Sequence, residues 1–184
     1  MTRINKHRRS IRLPDYDYTT PGAYSVAICT LNGKCMFGEI NNGKMRLSEF
    51  GKIVQEEWER SSVIRNEIEM DAFVVMPHHI HGIIFILDIN TNSNVGATGR
   101  SPLRSPKSKH KYGPAPKSLG AFVAGFKSIV TKRINIIRGT PGTSVWQRGY
   151  YEHVARSDLD LKNIREYTVN NPARWDFDKE NPIQ

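Results

Sequence analysis

The 184-residue chain is long enough for one domain with a buried core, and its formal charge of +9 points to a polyanionic partner, nucleic acid or an anionic membrane surface. No apolar run approaches the roughly 20 residues of a bilayer-spanning helix, and the basic N-terminus lacks the apolar segment of a secretory signal, so a cytoplasmic protein is expected. The two cysteines, Cys29 and Cys35, match no zinc spacing and read as reduced thiols of a cytoplasmic protein.

Residues 1–20 form a basic arm that includes Arg8, Arg9 and Arg12, with Pro14 and Pro21 limiting regular structure. Tyr24, Val26 and Ile28 then alternate with Ser25, Ala27 and Cys29, a strand with one drier face. Asn41-Asn42-Gly43 between short apolar pieces predicts a hairpin. Ser48 caps a helix whose inner stripe is Phe50, Ile53, Val54 and Trp58. The run from Ala72 to Met76, ended by Pro77, and the run HGIIFIL predict two antiparallel strands, with His79 and His81 opening the second.

From Asp88 the composition turns to Asn, Thr, Ser, Gly, Pro and Lys, which predicts a long flexible insertion over 88–117. Ser118 precedes an amphipathic helix with Leu119, Phe122, Val123, Phe126, Ile129, Val130, Ile134 and Ile137 on one stripe, and Gly139 stops it. Its other face carries Lys127, Lys132 and Arg133. Residues 145–154 read as extended. Ser157-Asp158-Leu159-Asp160 starts a last helix through Leu161, Ile164, Tyr167 and Thr168, ending near Asn170-Asn171-Pro172. The layout is α+β: one domain over 1–184, with a small, mainly antiparallel sheet and helices packed on it.

Chemistry concentrates at His79-Ile80-His81. Side chains alternate along a strand, so the two imidazoles share one face and present half of a divalent-metal site. His78, on the same strand, would point the other way. Tyr167 is the best nucleophile candidate, four residues before Asn171 and so on the same helix face. If that face opposes the histidine strand, Asn171 offers an amide oxygen to a metal while the phenol aims at a phosphate. Tyr150 and Tyr151 compete for the role, but as neighbours on an extended segment they face opposite ways and read as packing or base-stacking residues. Glu152 and His153 are possible supports of a metal site, as ligand or behind the ligands. Arg8, Arg9, Arg12, Lys127, Lys132, Arg133 and Arg148 are the basic residues placed along a DNA path.

Five segments occur in order: RRSIRLPDYDYTTPGAY, FVVMPHHIHGIIFI, FKSIVTKRIN, VWQRGYYEHVAR and IREYTVNNPARW. Together they resemble the single-tyrosine HUH transposases, most closely the branch of REP-associated tyrosine transposases. The resemblance covers nearly all of the chain except the region around 88–117. It implies an HUH core of ferredoxin-like type, with His79 and His81 as metal ligands, Tyr167 as nucleophile and Asn171 where the family has a polar amide ligand.

The implied activity is metal-dependent cutting and joining of single-stranded DNA at palindromic repeats that fold into hairpins, with Mg²⁺ or Mn²⁺ as cofactor and a 5′-phosphotyrosine intermediate. A monomer is favoured over a homodimer. Two alternatives stay open: a replication-initiator or relaxase-type nickase of the same chemistry, and a catalytically silent hairpin-DNA-binding regulator.

Overall fold

The alternating segment Gly22–Cys29 is β1, one of the two inner strands of a four-stranded sheet. The computed structural model describes Leu13, residues 16–88 and residues 113–177. Arg8, Arg9, Arg12 and most of the expected insertion lie outside the described residues. A hairpin follows β1, formed by β2 (Gly38–Asn41) and β3 (Lys44–Leu47). Its turn puts Asn42 and Gly43 at φ of 51° and 69°, the left-handed pair that a type I′ turn requires. Helix α1 (Glu49–Ile64) leads to β4 (Ile68–Val75) and β5 (His79–Ile86). Then come α2 (Leu119–Ile137), β6 (Tyr151–Ala155) and α3 (Asp158–Asn170), which runs into a 3-10 helix over Pro172–Phe177.

The strand order is β4-β5-β1-β6, and every neighbouring pair is antiparallel. The expected α+β architecture is therefore the observed one. All three long helices begin the same way: Ser48, Ser118 and Ser157 each accept a hydrogen bond from the backbone N–H three residues on, at 3.1, 3.2 and 3.1 Å.

One face of the sheet presents Tyr24, Val26 and Ile28 opposite Ile84, Gly82 and Ile80, and α1 and α2 cover it. Trp58 of α1 stacks on Phe73 at 4.4 Å and meets the edges of Phe122 and Phe126 of α2 at 5.6 and 5.5 Å. Gly82 makes room for it, since a Cβ there would lie 2.3 Å from the indole ring. The glycine that ends the histidine motif is thus a packing requirement of the opposite face.

The α2 stripe is narrower than its periodicity suggests. Leu119, Phe122, Val123, Phe126, Val130 and Ile134 are buried, whereas Ile129, about 90° off that seam, and Ile137, on the seam but the last residue of the helix, are exposed. Residues 145–154 are not one strand either. Trp146 makes an isolated bridge to Thr30, the chain turns at Gly149 with φ of 84°, and regular pairing resumes only at Tyr151. No helix among the described residues is long and apolar enough to cross a membrane.

Candidate active site

Alternation along β5 sends His79 and His81 to the face turned away from Trp58, the face α3 crosses. Ser25 and Ala27 of β1 form a small-residue floor there. His81 pairs across it with Ala27, and Tyr151 of β6 pairs with Ala27 from the other side. Asn163, Ile164 and Tyr167 of α3 close a cleft of about 350 Å³ over that floor.

Tyr167 is 46% exposed and its ring stands edge-on to His81, centroids 5.3 Å apart. Beyond it the chain brings Trp175 back against His78 and His79, at 5.3 and 6.1 Å between ring centroids. Asn171, between these two contacts along the chain, is buried, and its Oδ1 has no hydrogen-bond partner. The hydroxyl of Thr168, buried one turn earlier, is likewise unpartnered. An orphaned buried acceptor costs free energy unless something fills its place, so the Asn171 oxygen suits a cation or its water.

The two histidines differ in setting. His79 is buried, and desolvation first, then the neighbouring His81 and His78, pushes its pKa down to about 2. It is therefore a neutral imidazole with a lone pair free to coordinate. Its Nδ1 lies 3.0 Å from Nδ1 of His78, and in the tautomer in which His79 Nδ1–H donates to His78, Nε2 keeps the lone pair for a ligand. His78 thus does not point away. It belongs to the tight turn before β5, where strand alternation has not begun. That turn is fixed by Thr30 N–H donating to the His78 carbonyl, Phe37 N–H to Pro77 and Met76 N–H to His79, at 2.8, 3.0 and 2.8 Å.

Among the described residues no three His, Cys, Asp or Glu side chains cluster as a metal site. The groups that could hold a divalent ion are His79, His81 and the amide oxygen of Asn171, two nitrogens and a neutral oxygen.

The remaining sequence candidates separate in space. Tyr150 packs against the core while Tyr151, 43% exposed, lines the cleft, the opposite orientations expected of neighbours on a strand. His153 shares the cleft side, its Nε2 at 2.9 Å from Asp160, while Glu152 alternates to the other face with its carboxylate oxygens buried. Arg133 is engaged by Glu56 and Glu57, at 2.7 Å each, and ties α2 to α1. Lys127 donates to the carbonyls of Gln147 and Gly149 at 2.6 and 2.9 Å, and burial lowers its pKa. Lys132 and Arg148 line one groove beside α2. Trp175 was invisible to periodicity; its one signal was its place four residues after Asn171.

No protein-family model matches the chain. Its fold is similar to that of a REP-associated tyrosine transposase bound to a REP hairpin, with a TM-score of 0.54 at 15% identity over 86% of this chain and 71% of that one. A putative transposase from Deinococcus radiodurans R1 aligns with a TM-score of 0.44 at 16% identity, over 88% of this chain and 96% of that one. An uncharacterized protein of Haemophilus influenzae is 36% identical over 173 residues, 94% of this chain and 92% of its own length. The chain therefore belongs to one family with the Haemophilus influenzae protein, on a fold shared with a tyrosine transposase.

Proposed function

We propose that this protein is a metal-dependent single-stranded DNA endonuclease and strand transferase, transposase-like, acting on hairpin-forming DNA as a cytoplasmic monomer. The observation that carries the reading is the half-exposed Tyr167 ring against His81, with the unpartnered Asn171 oxygen one turn further on. The fold similarity to a transposase bound to a REP hairpin supports hairpin DNA as the substrate.

In this reading the phenolic oxygen of Tyr167 bonds to phosphorus and the bond from phosphorus to the 3′ oxygen of the preceding nucleotide breaks. The product is a 5′-phosphotyrosine and a free 3′-hydroxyl, and attack by another 3′-hydroxyl reverses the step and joins strands. The free phenol pKa is about 10, so its proton needs an acceptor. His153 lines the same cleft, and with Nε2–H turned to Asp160 its Nδ1 is free to accept. Asp160 is held below the usual carboxylate range by the His153 hydrogen bond first and the Arg156 N–H second, so it stays an anion that orients the ring. His79, His81 and Asn171 would hold Mg²⁺ or Mn²⁺. Such an ion offsets phosphate charge and draws electron density from phosphorus.

The test is to incubate the protein with labelled single-stranded oligonucleotides, linear and hairpin-forming, in Mn²⁺. A denaturant-resistant adduct mapping to Tyr167 and lost in Tyr167→Phe is expected. If wild type forms none on any substrate while hairpin binding persists, the silent regulator replaces the enzyme. An adduct that survives in Tyr167→Phe moves the nucleophile, with Tyr151 of the cleft next.

A further inference from the structure

A groove of about 970 Å³, larger than the Tyr167 cleft, lies between α2 and the loop at 139–148, on the α2 side of the sheet. Its walls include Leu31, Ile136, Pro141 and Val145, and Lys132 and Arg148, both exposed, supply positive charge. Trp146 lines it too, wedged against Phe37 and Phe126 with ring centroids 5.1 and 6.0 Å away. The indole N–H of Trp146 is nonetheless buried without an acceptor.

The loop is held in place by α2. Lys127 grips the carbonyls of Gln147 and Gly149, Asn135 donates to the Thr143 carbonyl at 2.9 Å, and Arg138 to the same carbonyl at 3.0 Å. The groove is therefore preformed. An apolar slot with an indole in its wall and two exposed cations beside it fits a planar heterocycle attached to a phosphate chain. An acidic peptide would satisfy the cations but not the apolar slot.

Groove and cleft also share a wall. The segment 146–153 gives Trp146 and Arg148 to the groove, and Tyr151 and His153 to the cleft. Trp146 and Tyr151 are at most about 17 Å apart along the backbone.

We propose that this groove takes up an unpaired nucleotide of the same single strand that enters the Tyr167 cleft, its base in the slot against Trp146 and its phosphates at Lys132 and Arg148. The proposal rests on the DNA reading above and adds a base-reading site on the other side of the β6 edge. It would add a sequence preference at a nucleotide outside the scissile step.

The test uses full-length Tyr167→Phe, so that binding is measured without cleavage. Single-stranded oligonucleotides with one 5-iodouracil at successive positions are photocrosslinked and the attached peptide is identified. One position should crosslink within 144–148 and a different, separated position within 151–167. Lys132→Glu with Arg148→Glu, and separately Ala124→Trp, which fills the groove from an exposed helix position, should each weaken single-strand binding about tenfold and abolish the first crosslink only. Crosslinks confined to 151–167 with unchanged affinity in both variants would overturn the proposal. So would a solution dimer that Ala124→Trp dissociates, since the occupant would then be a second copy. Wild-type adduct formation is scored separately: a missing adduct with an intact crosslink at 144–148 sinks the catalytic reading and leaves the groove standing.

Discussion

The two faces of the central sheet are built to opposite rules. On the α1–α2 face, Trp58, Phe122, Phe126, Val54, Val130 and Ile134 form a dry, interlocked layer. On the α3 face the helix itself buries only Thr168, and the residues sealed just beyond it are Asn171 and Trp175. Helix α3 is held instead by polar contacts: Arg165 to Asp71 at 2.6 Å, in the bulge that shifts the β4–β5 register, and His153 to Asp160. Stability resides on one side and reactive groups on the other, and β5 carries both because its successive residues serve alternate faces. A side chain can then be polar, half-exposed and reactive on α3 without opening the core.

The asymmetry can be broken from the core side first. Trp58→Ala should cost about 3–5 kcal/mol, as aromatic truncations in packed cores do. Tyr167→Phe should leave the denaturation midpoint nearly unchanged. Urea titrations of both settle the matter, and equal losses would mean that α3 is as structural as α1.

Gly82→Ala comes next. The added methyl meets the Trp58 indole, so a loss of about 1–3 kcal/mol is expected. Because His81 precedes it on the same strand, Mn²⁺ affinity followed by electron paramagnetic resonance should fall as well. Unchanged affinity despite lost stability would show the two faces to be mechanically independent.

A smaller effect is expected at the turn. His78→Ala removes the hydrogen-bonding partner of His79 and should weaken Mn²⁺ binding about 10–100-fold, as loss of a partner behind a metal ligand does. Restoration by His78→Asn, which keeps a hydrogen-bonding side chain, would separate orientation from bulk. Arg165→Ala should cost under about 1 kcal/mol, its ion pair with Asp71 being partly exposed. It should slow adduct formation more than it lowers stability.

The smallest change is with pH. The folded-state pKa of Asp160 is depressed, so its contribution is present above the ordinary carboxylate range and is lost as pH falls through the lowered value. Protection of the amides at residues 157–161, corrected for the intrinsic pH dependence of exchange, should fall on acidification before the sheet loosens, and Asp160→Asn should remove that early step. Simultaneous loss of protection on both faces would contradict it.

Periodicity carried most of the elements. The Asn-Gly turn, the three serine caps, the placing of His79 with His81, the opposed Tyr150 and Tyr151, and the spacing of Tyr167 from Asn171 are all local facts, set by backbone geometry within about one turn of each residue. His78 failed the alternation rule because the rule holds only inside a strand, and two long-range backbone hydrogen bonds, from Thr30 and Phe37, with a local one from Met76 to His79, hold a turn there.

What the sequence by itself determined is which residues share a side of their own element, because 3.6- and 2-residue periods are properties of a single segment. Which element each side meets was decided only by tertiary structure. The arrival of α3 on the histidine face, Trp175 against His78 and His79, Arg133 consumed by two glutamates and Lys132 with Arg148 in one groove all join residues from separate elements. Such contacts follow from how strands order in the sheet and where helices find uncovered apolar surface, and no spacing along the chain encodes that choice.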